Sequence, residues 1–176
     1  MEAYMNPKDS SKVWILFFFS LFVVMVGCQK EVEAGPTAPD FSLSSLSDET
    51  VTLEQYRGKV VLLDFWATWC PPCRMTIPQL IELQDKYKDE GLIILGISVD
   101  DPGQISDKDL RYFKKMTKIN YPILRYNQEV MRDYFSGERV SVPTMFVVDR
   151  NGKIRDKIVG YAPDSLKKSL AAVLKR

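Results

Sequence analysis

Histidine is absent from the 176-residue sequence, and cysteine occurs only three times. A structural zinc site needs four Cys or His ligands, so this composition argues against bound zinc. The missing histidine also excludes the Cys-His pair of cysteine proteases. Charge is nearly balanced, with 24 Lys and Arg against 23 Asp and Glu, and the net charge of +1 gives no indication of a nucleic-acid partner. Any specificity for a partner is therefore expected from local surface features and not from the net charge.

Two of the three cysteines, Cys70 and Cys73, lie three positions apart, shortly after the apolar run 60–66. A pair with this spacing, at a point where a buried strand is followed by a helix, forms a dithiol that can open and close as a disulfide. The alternative is an inert structural disulfide, but structural bridges usually close longer loops than this one. The pair therefore indicates redox chemistry.

The amino terminus carries an uncharged apolar run, residues 13–26, with lysines before it. This run has the flanks of a signal-peptide core and is shorter than the roughly 20 residues of a membrane-spanning helix. Its end, Met25-Val26-Gly27-Cys28, resembles the bacterial lipobox, in which the cysteine is lipidated after cleavage. We therefore expect lipidation at Cys28, with an uncleaved anchor over residues 12–27 as the alternative.

Composition divides the chain into three predicted parts: a signal segment or membrane anchor at 1–28, a tether at 29–37 and one domain at 38–176. The tether is polar and contains Gly and Pro, which is typical of a linker. A single domain of about 140 residues is an ordinary size. The domain is then expected outside the cytosol, where disulfides persist and where a reducing dithiol needs a dedicated source of electrons.

Apolar periodicity predicts alternating strands and helices in the domain. The two longest apolar runs, 60–66 and 92–99, lack regular polar alternation, which is typical of central strands covered on both faces. The remaining predicted elements are an opening hairpin over 41–53, helices at 73–90, 106–117, 130–135 and 163–175, and a hairpin with strands 144–149 and 153–159. This order indicates an α/β fold with a parallel strand pair.

The order strand, helix and strand, followed by a connection and then two strands and a helix, resembles the thioredoxin fold. The stretch Asp64-Phe65-Trp66-Ala67-Thr68-Trp69-Cys70-Pro71-Pro72-Cys73-Arg74 is similar to the active-site segment of that superfamily. The opening Ala38-Pro39-Asp40-Phe41-Ser42-Leu43, the lead-in Arg57-Gly58-Lys59 and an insert before Pro143 resemble the membrane-tethered TlpA/ResA type of thiol-disulfide oxidoreductase, within the AhpC/TSA-redoxin superfamily. The resemblance, which runs from residue 38 to the end, implies a thioredoxin fold with an N-terminal β-hairpin extension and an α/β insert before the cis-proline strand.

The resemblance assigns catalytic roles within the Cys-x-x-Cys segment. It implies that Cys70 is the nucleophile, because the amino end of a helix lowers the pKa of a thiol. It implies that Cys73 then attacks the mixed disulfide and releases the reduced partner. Asp64 matches a buried acid that exchanges a proton with the second cysteine, and burial is expected to raise its pKa. Pro71 and Pro72 have no backbone N–H and are expected to tune the reduction potential.

A second set of residues is implied to bind the partner protein: Trp69, Pro71, Pro72, Val142 and Pro143. Pro143 is expected to follow a cis peptide bond and to face the disulfide, while Val142 offers its backbone to an extended substrate segment. Trp69 is expected to line the partner groove, whereas Trp66 packs in the core. Arg74 is interpreted as a solvated residue.

The expected function is reduction of protein disulfides outside the cytosol, by a monomer with no cofactor other than the Cys70–Cys73 disulfide. The resemblance suggests apocytochrome c as one substrate and implies a membrane thiol-disulfide protein as electron donor. One alternative is a thiol peroxidase of the peroxiredoxin kind, although that family places Thr three residues before the reactive Cys and this chain has Ala67 there. The same fold also serves disulfide donors and isomerases, and the sequence leaves these functions open. Metal-binding modules on this fold use a wider cysteine spacing and a distant His, and this chain has neither.

Overall fold

The computed structural model describes residues 35–175, so the predicted signal segment with Cys28 and residues 29–34 of the predicted tether lie outside the described residues. Between residues 35 and 175, no helix combines the length and the hydropathy needed to cross a bilayer. The described residues begin just before the domain predicted at 38–176.

Strands and helices alternate along the described chain. The strands are β1 (Ser42–Ser44), β2 (Thr50–Thr52), β3 (Val60–Trp66), β4 (Leu92–Ser98), β5 (Ile123–Arg125), β6 (Thr144–Val148) and β7 (Ile154–Val159). The α-helices are α1 (Pro71–Tyr87), α2 (Asp107–Thr117), α3 (Gln128–Phe135) and α4 (Pro163–Leu174), and a short 3-10 helix covers Glu54–Tyr56. The predicted insert therefore consists of α2, β5 and α3.

A five-stranded mixed sheet, in the order β5-β4-β3-β6-β7, forms the centre of the domain. β3 pairs in parallel with β4, and β4 pairs in parallel with β5. β6 runs antiparallel to both β3 and β7. A separate antiparallel sheet of β1 and β2 is the predicted opening hairpin. Because β3 is the central strand and both of its faces are covered, all of its residues are buried.

Two apolar cores lie on the two faces of β3. Leu62 and Trp66 pack in the core that also contains Cys70 and Cys73. The residues between them along the strand, Val61, Leu63 and Phe65, pack in the core on the other face. Side chains alternate between the faces of a strand, so Asp64 points to the face that carries the two cysteines.

The structure differs from the predicted elements at the start of α1 and at β5. α1 begins at Pro71 rather than at residue 73, because proline suits the first turn of a helix, where backbone N–H groups have no intrahelical partner. β5 was not predicted, since it covers only three residues after Pro122 and is too short to produce a periodic pattern. It is held at the edge of the sheet by pairing with β4, and the N–H of Gly96 donates to the carbonyl of Pro122 at 3.0 Å.

Candidate active site

A disulfide joins Cys70 to Cys73 at the amino end of α1, with an S–S distance of 2.10 Å and a Cα–Cα distance of 5.3 Å. Cys70 is the residue that caps the helix, and Cys73 is its third residue. Both cysteines are only 2% exposed. Their roles therefore depend on position in the helix and on neighbouring groups, because exposure does not distinguish them.

The helix terminus presents a single backbone donor to the Cys70 sulfur. The N–H of Cys73 lies 3.2 Å from Cys70 Sγ. Pro71 and Pro72 occupy the first two helical positions and have no N–H, so the usual set of free donors at a helix terminus is reduced. A thiolate on Cys70 receives correspondingly little hydrogen bonding from the start of α1.

The loop before β6 lies against the disulfide. The Val142–Pro143 peptide bond is cis, as the resemblance implied, and the carbonyl oxygen of Val142 lies 3.6 Å from Cys70 Sγ. The carbonyl of Pro143 accepts from the N–H of Gly160 at 2.8 Å, which ties this loop to the end of β7. Val142 and Pro143 are therefore brought to the predicted nucleophile, as the predicted partner-binding site requires.

Asp64 is buried in the central strand, on the face of the sheet that carries the cysteines. It pairs in register with Gly96 of β4 and with Met145 of β6, and the residue is 2% exposed. Its Oδ1 has no hydrogen-bond partner in the described chain. Burial disfavours the charged form and raises the pKa of Asp64 to about 7. This carboxyl can therefore accept or release a proton near neutral pH.

Tyr121 is a neighbour of Asp64 that the sequence analysis did not identify as a site residue. A Cβ placed on Gly96 would lie 3.1 Å from Tyr121 Cε2, so the phenol ring covers the glycine that pairs with Asp64. Burial, and secondarily the charge of Asp64, raise the pKa of Tyr121 well above its ordinary value. A glycine inside a predicted central strand was the available signal, because it often marks a close approach of another group.

The two tryptophans near the disulfide have different environments, as predicted. Trp66 is 1% exposed and stacks at 5.3 Å, centroid to centroid, on Phe113. Trp69 is 64% exposed beside Cys70, which leaves its ring available to a partner protein. Arg74 is exposed, in agreement with its interpretation as a solvated residue, and its Nε also donates to the carbonyl of Thr68 at 2.7 Å.

The arrangement brings together a disulfide at a helix terminus, a cis-proline loop and a buried acid. These are the groups that dithiol exchange requires, since one sulfur attacks, the other resolves, and a nearby base takes up the proton. Among the described residues, no group of three or more Cys, Asp or Glu side chains is arranged to hold a metal ion.

Comparison with known families identifies the fold and the chemistry together. The model of the AhpC/TSA family matches residues 34–157, which include both cysteines and Pro143. The chain belongs to the AhpC/TSA family. A similar curated protein is the thioredoxin-like protein YneN of Bacillus subtilis (strain 168), which is 38% identical over 129 residues, 73% of this chain and 73% of that protein.

Further relatives of this AhpC/TSA family member are named for the reaction. Thiol-disulfide oxidoreductase ResA of Geobacillus thermodenitrificans (strain NG80-2) is 36% identical over 144 residues, 81% of this chain and 79% of that protein. A crystal structure of a thiol:disulfide interchange protein of the thioredoxin family from Chlorobium tepidum TLS superposes with a TM-score of 0.72 at 26% identity, covering 82% of this chain and 99% of that one. The chain is therefore a thiol-disulfide oxidoreductase of the ResA type with a thioredoxin-like fold.

Proposed function

We propose that this oxidoreductase works outside the cytosol, held at a membrane through its amino terminus, and reduces disulfides of partner proteins. The apolar run 13–26, followed by Gly27-Cys28, supports export and lipidation at Cys28. The domain then acts as a monomer, with the Cys70–Cys73 disulfide as its only redox group. A membrane thiol-disulfide protein returns electrons to it, and the heme-binding cysteines of apocytochrome c are one substrate.

The observation that carries the reducing direction is the poverty of donors around Cys70. Of the first three residues of α1 only Cys73 has a backbone N–H, because Pro71 and Pro72 have none. The strong oxidant DsbA owes its high potential to a stabilised reduced form. A Cys70 thiolate with a single N–H donor is stabilised less, so the dithiol gives up its electrons more readily.

The proposed reaction proceeds by two thiol-disulfide exchanges. The Cys70 thiolate attacks one sulfur of the partner disulfide, forming a mixed disulfide and releasing the partner's other sulfur as a thiolate. Cys73 then loses its proton to the Asp64 carboxylate and attacks Cys70 Sγ. The Cys70–Cys73 disulfide re-forms, the second partner thiolate leaves, and two electrons have passed to the partner. Val142 and Trp69 hold the partner segment during the exchange.

We expect a reduction potential near that of thioredoxin, about −270 mV, when the full chain in detergent is equilibrated with thiol buffers. Fluorescence of Trp66 and Trp69 reports the two redox states. A Pro72→Ala variant restores an N–H next to Cys70 and is expected to raise the potential by roughly 30 mV, which is a tenfold change in the equilibrium constant.

The matched control is Pro163→Ala, since Pro163 also lies in the first turn of a helix, but in α4. This variant should keep the parent potential. A parent potential close to about −120 mV, the value of DsbA, would instead make the protein a disulfide donor.

The anchor can be tested by feeding labelled palmitate to bacteria that express the full chain. The label is expected in the parent protein and not in a Cys28→Ala variant, because Cys28 is the proposed lipidation site. Absence of label from a parent protein that still sediments with membranes would contradict lipidation and favour the uncleaved anchor over residues 12–27.

A further inference from the structure

Asp100 is a buried carboxylate that contacts the loop leading to the active-site disulfide. It is 0% exposed and lies just after β4. Both of its carboxylate oxygens lie 3.1 Å from the backbone N of Thr68, and Oδ1 accepts from the Thr68 hydroxyl at 2.7 Å. Thr68 lies in the short loop 67–69 between β3 and Cys70, so this carboxylate holds the residue two positions before the predicted nucleophile.

The carboxylate comes from a rigid part of the sheet. The hydroxyl of Ser98, the last residue of β4, donates to Asp100 Oδ2 at 2.9 Å and accepts from the Asp100 N–H at 3.2 Å. Arg125 of β5 donates to the Asp100 carbonyl at 3.4 Å. The N–H of Val99 donates to the carbonyl of Trp66 at 2.9 Å, which joins the ends of β3 and β4. Asp100 is therefore held by Ser98 and Arg125, and the end of β4 that carries it is joined to the end of β3.

The loop is also held from the side of the helix. Arg74 of α1 donates from Nε to the Thr68 carbonyl at 2.7 Å. The N–H of Cys70 donates to the carbonyl of Ala67 at 3.2 Å, which closes the turn. The backbone N–H, the carbonyl and the hydroxyl of Thr68 thus all have partners, and this fixes the direction in which the chain enters α1.

We propose that Asp100 is a positioning residue for disulfide exchange, acting through Thr68 to hold Cys70 at the helix terminus. The position of Cys70 decides whether its sulfur meets the N–H of Cys73 and the carbonyl of Val142, 3.2 Å and 3.6 Å away. Burying a carboxylate costs desolvation free energy, and an apolar residue at the same position would avoid that cost. The carboxylate supplies what an apolar residue cannot, since it binds the N–H and the hydroxyl of one loop residue together.

The test compares Thr68→Val with Thr68→Ser. Valine has nearly the shape of threonine and lacks the hydroxyl, whereas serine keeps it. The rate at which the reduced full chain, in detergent, attacks oxidised glutathione is measured against pH, which separates the Cys70 thiolate titration from the limiting rate at high pH. Misplacing a reacting group lowers its rate, so the limiting rate of Thr68→Val is expected to fall about tenfold. Thr68→Ser should restore it.

Thr117→Val is the matched control, because the Thr117 hydroxyl donates to the carbonyl of Phe113 at 2.8 Å within α2, away from the loop. All variants are measured at a temperature at which circular dichroism shows each protein to be fully folded. A Thr68→Val protein that melts earlier but keeps the parent limiting rate and Cys70 titration would overturn the proposal, because Asp100 would then be structural only. Should Thr68→Val fail to fold, Asp100→Asn, which preserves size and loses one acceptor, is judged by the same two readouts.

The positioning role of Asp100 rests on the proposed function, in which Cys70 is the attacking cysteine. The experiments distinguish failure of the proposed function from failure of the positioning role. A Cys70→Ser protein that still attacks oxidised glutathione would contradict the proposed function. Parent kinetics in Thr68→Val, or in Asp100→Asn where Thr68→Val does not fold, with Cys70→Ser inactive, would contradict the positioning role alone.

Discussion

The rate of disulfide exchange is expected to fall by at least about a thousandfold when Cys70 is replaced by Ser, because the attacking thiolate is lost. Cys70 caps α1, and its sulfur faces both the N–H of Cys73 and the carbonyl of Val142. Serine is close to cysteine in size, so the fold should persist. The measurement is the rate at which the reduced protein releases thiols from a peptide that contains one disulfide.

Cys73→Ser is the matched variant, because both substitutions remove the same disulfide and one sulfur. It should still attack the peptide, but without a resolving thiol the mixed disulfide on Cys70 should accumulate and be isolated under non-reducing conditions. The comparison therefore separates the two roles from any loss of stability that both variants share. Attack on the peptide at the parent rate by the Cys70→Ser protein, with the mixed disulfide accumulating on Cys73, would reverse the assignment.

The parts of the site that could be predicted from sequence are those set by local pattern. β3 was predicted at its observed bounds, Val60–Trp66, because a continuous apolar run gives a strand covered on both faces. The buried state of Asp64 followed from its position inside that run, and the raised pKa followed from the burial. The start of α2 was predicted at residue 106, and Ser106 is its capping residue, bonded to the N–H of Asp109.

Contacts between distant segments left no local pattern. The bond between Thr68 and Asp100 joins residues that are 32 positions apart, and only the parallel pairing of β3 and β4 brings their ends together. In the sequence pattern, Asp100 marks only the end of a strand. Once β4 is known to run parallel to β3, the residue after β4 must lie at the edge of the sheet where α1 begins. Tyr121 resembles an ordinary packing residue for the same reason, since its contact with the site depends on β5.

Asp64 gives the second prediction, which concerns stability against pH. Its pKa is about 7 in the folded protein against an ordinary 3.8, and the folded state therefore binds more protons than the unfolded chain between these values. The contribution of the protonated Asp64 carboxyl to the free energy of unfolding is therefore complete below about pH 4 and is lost as the pH rises toward 7. The difference between the folded and the ordinary pKa corresponds to about 4 kcal/mol of unfolding free energy, at 1.36 kcal/mol per pKa unit.

An Asp64→Asn protein cannot ionise at this position. Its free energy of unfolding at pH 8 is expected to exceed that of the parent by up to about 4 kcal/mol, with little difference near pH 4. Urea unfolding of the oxidised proteins at the two pH values measures the difference. Asp85→Asn, which removes an exposed carboxylate of α1, controls for the loss of one negative charge. Equal stabilities of the Asp64→Asn and parent proteins at pH 8 would contradict the raised pKa.

The same substitution should have the opposite effect on catalysis. If the Asp64 carboxylate takes the proton of Cys73, resolution of the mixed disulfide accelerates as the pH rises through about 7 in the parent, where the acid ionises. Tyr121 stays neutral over this range, because burial and the charge of Asp64 raise its pKa well above the ordinary value, so it does not contribute to the inflection. Asp64→Asn should lose that inflection and resolve the mixed disulfide at least about a hundredfold more slowly at neutral pH, the lower end of the contribution of a general base. An Asp64→Asn protein that is more stable than the parent and resolves the mixed disulfide equally fast would leave Asp64 without a catalytic role. A protein that is more stable but resolves it more slowly identifies Asp64 as a buried acid that serves proton transfer at the expense of stability.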